Sequence, residues 1–234
     1  LEDRELAKDL CVKVAQFYEE KLYDEESSEA CYRKALELDP QDRVSLEALD
    51  RIYLGNGSYP ELGEILKAEI AACEYDDDRI ELTFRLGQLQ EHQLEEVDAA
   101  IGSYKQILEI DSYHPEALRS LESIYLIQEQ WPELFDVYQQ ELNIVEGDEG
   151  RADLYARMAR LAQEELHNLD EAIQLWGEVL AIRGEDEMAL RALEDLYEVE
   201  ERWRELVDVC ERQVMIAEDE DRQIELYAKL GRVW

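Results

Sequence analysis

Glycine and proline are scarce in this 234-residue chain, at 10 and 4 residues, and only three histidines are present. The sequence also lacks any long apolar run, so no segment is predicted to insert into a membrane. Few helix-breaking residues, with abundant Leu, Glu and Ala, indicate helix almost throughout. No segment alternates apolar and polar residues over the length of a strand, so the predicted fold class is all-α.

Basic residues are outnumbered, with 24 Lys and Arg against 60 Asp and Glu, which gives a formal net charge of −36. A phosphate backbone would be repelled by such a chain, so nucleic acid is excluded as the expected partner. Hydrophobic residues make up 46% of the sequence, a fraction typical of a folded protein. We therefore expect a protein or peptide partner, and a basic or mixed-charge protein surface fits this net charge best.

Motifs that carry chemistry are missing as well. The sequence contains no HExxH, GxSxG, glycine-rich phosphate loop or EF-hand pattern, and its histidines (92, 114 and 167) do not recur with any period. Acidic turns at 75–78, 147–149 and 219–222 lack the alternating ligands and central glycine of a calcium loop. We therefore predict no catalytic residue, no cofactor, no metal site and no enzyme activity.

The four cysteines, at 11, 31, 73 and 210, form no CxxC pair and lie in apolar helical stretches. They are predicted to be buried thiols that act as small hydrophobic residues. Their pattern favours a reducing compartment such as the cytoplasm.

Two segments 144 positions apart are similar and share five of ten residues, namely IELTFRLGQL at 80–89 and IELYAKLGRV at 224–233. Sliding the chain along itself shows the true period to be 72 residues without gaps. The predicted units are 7–78, 79–150 and 151–222, while 1–6 and 223–234 belong to neighbouring units. Because both ends fall inside predicted helices, we expect 1–234 to be a single α-solenoid segment of a longer array, with ends that would allow end-to-end self-stacking.

Each unit is predicted to hold four helices. In the second unit the apolar periodicity places them at 79–91, 96–110, 115–128 and 132–146. Prolines 60, 115 and 132 fit the first turn of a helix, where a missing N–H costs little. Two helical hairpins of about 36 residues per unit follow from this division.

The segment EACYRKALELDPQD (29–42) resembles the second helix and exit turn of a tetratricopeptide repeat. Val14, Ala15 and Tyr18 match the first helix of that repeat, whose small residue lets two helices approach closely. The resemblance is closer in the first hairpin of each unit. In the second hairpin an acid replaces the small residue, at Asp50, Glu122 and Glu194. The resemblance implies a right-handed α-solenoid with a concave groove that binds a protein or peptide.

One basic position recurs in the first helix of every unit, and a second polar position follows it three residues later. In the tetratricopeptide family such positions line the groove and hold a ligand carboxylate, so the resemblance implies a ladder that grips an acidic peptide or a C-terminus. The second hairpins add two arginines. The candidate peptide-binding residues are Lys13, Gln16, Arg85, Gln88, Arg157, Arg160, Lys229, Arg232, Arg119 and Arg191.

A structural interpretation of these cations competes with the ligand-binding one. An acid precedes each recurring cation by four residues, which is the favourable order for an ion pair on one helix. The cations would then only neutralise a helix face. The four acids are Asp9, Glu81, Asp153 and Glu225.

The repeated aromatic residues are predicted to be structural. Tyr32, Tyr104 and Trp176 occupy the large-residue position of the second helix and are expected in the core. Tyr59, Trp131 and Trp203 open the fourth helix and are expected to pack on the neighbouring hairpin, with an exposed anchor for a partner as the alternative.

The sequence as a whole favours a non-enzymatic scaffold that binds a protein or peptide and helps assemble a larger complex. Two alternatives stay open. The segment could be a passive spacer between other domains, or its acidic surface could bind basic proteins, in which case binding should weaken steeply with salt.

Overall fold

A computed structural model of the chain describes residues 2–233. The described residues form thirteen α-helices and one π-helical turn (Tyr18–Leu22), with no β-strand among them. The helices are α1 (Glu2–Phe17), α2 (Glu25–Leu38), α3 (Arg43–Asn56), α4 (Tyr59–Ala72), α5 (Asp76–His92), α6 (Val97–Ile110), α7 (Pro115–Ile127), α8 (Trp131–Glu141), α9 (Asp148–Glu164), α10 (Leu169–Arg183), α11 (Glu187–Val199), α12 (Trp203–Ile216) and α13 (Glu220–Val233).

The four helices predicted between 79 and 146 are present as α5 to α8, and only two of their ends differ from the prediction by more than one residue. Helix α5 begins three residues early, at Asp76, because three consecutive aspartates suit the positive end of the helix dipole. Helix α8 ends at Glu141 rather than 146, because the amides of Asn143 and Ile144 turn to carbonyls three residues back.

Acidic and amide side chains start several helices. The carboxylate of Asp42 accepts hydrogen bonds from the amide and the hydroxyl of Ser45 at the start of α3, at 3.0 and 2.7 Å. Asp186 caps α11 in the same way by accepting from the amide of Ala189 at 2.8 Å. Such caps satisfy amides that have no partner within the helix, so they fix where the helix begins.

Left-handed backbone conformations recur at the 72-residue spacing of the sequence. Between the first two helices of a hairpin pair they fall at 23, 95 and 167, with φ of 52°, 56° and 52°. Between the third and fourth helices they fall at 57, 129 and 201, with φ of 75°, 55° and 53°. Only the residue at 57 is a glycine, so side-chain-bearing residues adopt this unfavourable conformation at the other five positions.

The chain divides into two compact units, Leu1–Ile124 and Tyr125–Trp234. In the first unit α1 pairs with α2, α3 with α4 and α5 with α6, and each pair also packs on the next. Its core centres on Tyr32, Leu49 and Leu66, which are at most 1% exposed. This neighbour-to-neighbour packing of helical hairpins is the predicted all-α solenoid arrangement.

The second unit repeats the arrangement. Helix α9 pairs with α10 and α11 with α12, α10 packs on α11, and α13 packs on α12. Trp176 and Leu193 are buried in it, and a cluster of Leu206, Cys210 and Leu226 joins α12 to α13. The sequence division into 72-residue units stays a prediction.

Helices α5 and α6 approach each other closely at a glycine. A Cβ placed on Gly87 would lie 2.7 Å from Cε1 of Tyr104, so no side chain fits there without displacing the ring. Ala15 and Ala159, at equivalent sequence positions, are fully buried. This confirms the predicted role of the small residue.

The aromatic prediction is confirmed for Tyr32, Tyr104 and Trp176, which are at most 2% exposed. Tyr59 packs against the core of the first unit, whereas Trp203 remains 46% exposed.

The cysteine prediction holds only for Cys210. Cys11, Cys31 and Cys73 are half-buried, because their helix faces or ends border solvent, and all four thiols are free.

Candidate functional site

The predicted groove residues lie on the first helix of each hairpin pair and on α7 and α11. Most of them have exposed side chains, whereas Arg85 and Lys229 are half-buried. The exposed members are Lys13, Gln16, Gln88, Arg157, Arg160, Arg232, Arg119 and Arg191.

Arg85 forms an ion pair with a helix of the preceding hairpin. Its Nη2 donates to both carboxylate oxygens of Asp50, on α3, at 2.9 and 3.0 Å. The two residues are 35 positions apart, and the Asp50 side chain is 17% exposed. The pair therefore joins α3 to α5 and neutralises Arg85.

Lys229 repeats this contact in the second unit. Its Nζ donates to Glu194, again 35 positions earlier, at 2.5 Å and to Glu198 at 2.7 Å. Glu194 is only 3% exposed, and it also accepts hydrogen bonds from Gln213 at 2.7 Å and Arg222 at 2.6 Å. Burial alone would raise the pKa of Glu194, but the bonds from Lys229 and Gln213 outweigh it and hold the pKa below its ordinary value.

Arg222 completes this group. Besides Glu194, its guanidinium donates to Oε1 of Gln213 at 2.9 Å and to Oε2 of Glu225 at 3.2 Å. We call Glu194, Gln213, Arg222, Glu225 and Lys229 the Glu194 cluster.

The ion pairs predicted within one helix are wrong for Arg85 and Lys229, whose partners are Asp50 and Glu194. The predicted acids bind other cations instead. Asp9 binds Lys8 at 3.3 Å, Glu225 binds Arg222, and Asp153 binds Arg183. The reason is geometric: the recurring cation points across to the acid of the preceding hairpin rather than along its own helix.

A sequence signal for this pairing existed. The acid that replaces the expected small residue in the second hairpin precedes the recurring cation by 35 positions in every unit. In the two pairs described here the cation neutralises the acid, which is half-buried at Asp50 and almost fully buried at Glu194.

Two other predicted residues also have contacts within their own unit. Nη2 of Arg157 lies 3.7 Å from Oε2 of Glu141, and its guanidinium lies 4.8 Å from the ring centroid of Tyr138. Arg191 binds Glu187, one turn earlier on α11, at 2.5 Å.

A cleft of about 580 Å³ opens in the first unit beside Arg85. It is bounded by α3, the end of α4 and the start of α5, and we call it the Asp50 cleft. Its two arginines are already paired, Arg85 with Asp50 and Arg43 with Glu47 at 2.7 Å. Six carboxylates line it: Glu47, Asp50, Glu69, Glu74, Asp78 and Glu81.

Among these carboxylates, Glu69 has a buried oxygen, Oε2, that accepts no hydrogen bond from the described residues. Burial raises the pKa of Glu69 to about 7, and the negative charge of Asp50 adds to the shift while Arg85 opposes it. The cleft thus combines an excess of negative charge with an unused buried acceptor.

A second cleft, of about 370 Å³, lies between the π-helical turn and α3 and includes Glu19, Tyr23 and Arg51. Two of its charged groups, Glu19 and Arg51, are bonded to each other. Glu19 accepts from the hydroxyl of Tyr32 at 3.0 Å and from the guanidinium of Arg51.

Residues 2–233 contain no group of three His, Cys, Asp or Glu side chains placed to hold a metal ion. Within the same range no helix is both long and apolar enough to cross a bilayer. The Nδ1 of His114 accepts from the amide of Ala117 at 3.3 Å and so caps α7.

The tetratricopeptide repeat family model matches residues 117–152 and 189–224. These ranges correspond to α7–α8 and α11–α12 with the start of the next helix, which are the second hairpins of the repeat. The expectation that the first hairpins resemble the family more closely was therefore wrong. No curated protein matches the chain at a significant level.

Solved structures are similar to the chain at low sequence identity. The chain is similar to a chain of a Naa15/Naa10 complex bound to HypK-THB, with a TM-score of 0.59 and 15% identity over 96% of this chain and 34% of that one. It also matches the anaphase-promoting complex tetramer Cut9–Hcn1, with a TM-score of 0.40, 15% identity and coverage of 95% and 42%. A tetratricopeptide repeat protein from Parabacteroides merdae gives a TM-score of 0.43, 16% identity and coverage of 97% and 86%. The chain thus spans less than half the length of two of these three.

Proposed function

We propose that this chain, which is built of divergent tetratricopeptide-like repeats, is a non-enzymatic scaffold that binds a protein segment and helps assemble a larger complex. The Asp50 cleft is the observation that supports this most directly. It is an open surface about 580 Å³ in volume, formed where one hairpin meets the next, and the predicted groove residue Arg85 lines it.

The ladder residues divide into two roles under this proposal. Arg85 and Lys229 hold neighbouring hairpins together through Asp50 and Glu194, so a ligand carboxylate would have to displace an existing ion pair to reach them. The exposed ladder residues other than Arg157, which contacts Glu141 and Tyr138, carry the partner contacts: Lys13, Gln16, Gln88, Arg160 and Arg232.

A photo-crosslinking experiment tests this assignment. A benzoylphenylalanine introduced at Gln88 or at Arg160 should crosslink one and the same protein in a cell extract. The same group at Lys34, an exposed residue on the second helix of a hairpin, serves as the matched control and should not.

The captured protein is then purified and its affinity for the chain is measured directly. Charge reversal by Arg160→Glu should weaken binding by about tenfold, the effect of one lost charge-assisted contact. Crosslinks that appear equally from all three positions, or purified proteins that do not bind each other, would favour the passive-spacer alternative.

A second candidate, an acidic surface that binds basic proteins, is favoured by one specific observation. Four carboxylates of the Asp50 cleft have no ion-pair partner among the described residues, namely Glu69, Glu74, Asp78 and Glu81.

A further inference from the structure

The Asp50 cleft and the Glu194 cluster occupy equivalent places in the repeat, 144 residues apart. Asp50 corresponds to Glu194 and Arg85 to Lys229, and both pairs form the same ion pair. Glu69 corresponds to Gln213 and Glu81 to Glu225. The acceptors of the Glu194 cluster therefore have counterparts that all line the Asp50 cleft.

One member of the Glu194 cluster has no counterpart. Position 222 holds an arginine in the second unit, whereas position 78 holds an aspartate in the first. In the second unit this guanidinium binds Glu194, Gln213 and Glu225 at 2.6, 2.9 and 3.2 Å. In the first unit the three corresponding carboxylates are present without it, and Asp78 adds a further negative charge.

We propose that the Asp50 cleft accepts an arginine side chain of a partner protein, whose guanidinium binds Asp50, Glu69 and Glu81 as Arg222 binds their counterparts. The inference rests on the proposed scaffold function and specifies its partner as a basic, arginine-bearing segment. It goes beyond general attraction to an acidic surface, because the Glu194 cluster supplies a geometric template for one guanidinium.

Two properties of the cleft favour this occupant. Glu69 lines the cleft, and its buried Oε2 accepts no hydrogen bond from the described residues, so this carboxylate lacks a donor of the kind that Arg222 provides to Gln213. Arginine presents five donors in a planar fork and can bind several carboxylates at once, whereas lysine offers a single point charge.

The cleft should take its ligand more tightly as pH rises. The pKa of Glu69 is raised to about 7, so this carboxyl is largely neutral at pH 6 and ionised at pH 8. The charged groups that act on it are Asp50, Arg85, Glu47 and Arg43. Only its ionised form attracts a cation fully, so affinity should increase between these two pH values.

A titration followed by ¹H–¹⁵N NMR tests the proposal. The probe is N-acetyl-arginine amide, and its neutral isostere N-acetyl-citrulline amide is the control ligand, both in 0.15 M salt at pH 8. The arginine probe should shift the backbone amides of residues 46–50, 69–74 and 78–85 saturably, and the citrulline probe should not.

Glu69→Gln is the decisive variant, because it places the residue of the Glu194 cluster in the cleft and should fold at least as well as the wild type. It should weaken binding of the arginine probe by about three- to tenfold at pH 8, because the charge is lost while the amide oxygen still accepts a hydrogen bond, as Gln213 does from Arg222. Glu64→Gln, which removes an equal charge from an exposed position on the same helix, should leave the affinity unchanged.

Three results would overturn the proposal: equal binding of the citrulline probe, unchanged affinity of Glu69→Gln, or shifts spread over acidic residues throughout the chain. These results can be told apart from failure of the scaffold function itself. A partner that crosslinks from Gln88 and Arg160 while the arginine probe fails would leave the scaffold intact and remove only the arginine site.

Discussion

The guanidinium of Arg85 binds both carboxylate oxygens of Asp50 across 35 residues of sequence, and Lys229 binds Glu194 across the same interval. In each case the acid lies on the third helix of a hairpin pair and the cation on the first helix of the next. In both compact units an ion pair that is partly withdrawn from solvent thus links consecutive hairpins. Because neighbouring contacts supply the stability of a repeat array, these pairs should contribute to folding.

Removing the charge of Glu194 should lower the free energy of unfolding more than removing the charge of Asp50. Glu194→Gln leaves Lys229 and Arg222 without their shared partner in a buried setting, at an expected cost of about 2–4 kcal/mol. Asp50 is more exposed and has one cation, so Asp50→Asn should cost about 1 kcal/mol. Urea unfolding measures both free energies.

The matched control for these variants is Glu47→Gln, which breaks an exposed pair with Arg43 and should leave the free energy of unfolding nearly unchanged. A cost for Glu194→Gln no greater than that of the control would mean that the buried pair contributes nothing to stability.

Replacing Gly87 should separate two effects of a methyl group in a helix. Alanine favours the helix by about 1 kcal/mol over glycine, but at position 87 its Cβ would meet the Tyr104 ring at 2.7 Å. We expect Gly87→Ala to destabilise by about 1–3 kcal/mol, the usual cost of overpacking.

Gly102→Ala is the natural comparison, because the residue lies in α6 with open space around its Cβ position. It should stabilise by about 0.5–1 kcal/mol in the same thermal or urea unfolding experiment. A gain in stability from both substitutions would refute the close approach of α5 and α6.

Two equivalent turns in which the backbone is left-handed allow a pair of opposite substitutions to be compared. Glu201 has φ of 53° at the position where Gly57 has φ of 75°. Glu201→Gly should stabilise by about 0.5–1 kcal/mol, because glycine adopts this conformation without steric cost. Gly57→Ala should destabilise by about 1 kcal/mol for the same reason. Opposite signs in unfolding measurements are the expected result, and equal signs would show that backbone conformation at these turns does not matter.

The stability of the chain should respond to the titration of Glu69. The pKa of this carboxyl is raised in the folded protein from 4.5 to about 7. Folding therefore favours the protonated form, and stability should fall as pH rises from about 4.5 to 7. Glu69→Gln removes this dependence and should stabilise the chain at pH 8 by about 1–3 kcal/mol, allowing for screening by solvent.

The gain from Glu69→Gln should shrink steadily when the same unfolding curves are measured at pH 6.5 and 5.5. A gain that is independent of pH would contradict the buried, charged state of Glu69. Glu64→Gln again supplies the exposed control, with no pH-dependent difference from the wild type expected.

Helices and their order could be predicted from the sequence because apolar periodicity, proline at first turns and the 72-residue repeat all pointed to the same arrangement. The small residue of the first helix could be predicted at Ala15 from the tetratricopeptide resemblance, since close packing between paired helices constrains that position. Helix ends were less predictable: α5 begins at Asp76 because acids suit its positive end, and α8 stops early where two amides tighten the chain.

The side-chain pairing of the ladder could not be predicted with the same ease. Each cation had an acid four residues earlier on its own helix and another 35 residues earlier on a different one. Choosing between them requires the angle between consecutive hairpins, which local sequence does not specify. The role of Glu69 could not be predicted for a related reason. Its Oε2 lacks a hydrogen-bond donor among the described residues because of the packing where α3, α4 and α5 meet.

The most direct test of the equivalence between the two sites is to add the missing cation. Asp78→Arg places a guanidinium at the position that Arg222 occupies in the Glu194 cluster, while Asp77→Arg makes the same change one residue away, at an exposed position. Both remove an acid from the first turn of α5, at a cost of about 0.3–1 kcal/mol each. The free energy of unfolding is measured at pH 8 for both variants, in the wild type and in the Glu69→Gln background.

We predict that Asp78→Arg exceeds Asp77→Arg in stability by about 1–2 kcal/mol in the wild type, because its guanidinium binds Asp50, Glu69 and Glu81. This difference should become smaller, without vanishing, in the Glu69→Gln background, since one charge is lost while the amide oxygen still accepts a hydrogen bond as Gln213 does. Equal stabilities of the two arginine variants, unaffected by Glu69→Gln, would contradict the claim that the Asp50 cleft binds a guanidinium that the chain itself does not supply.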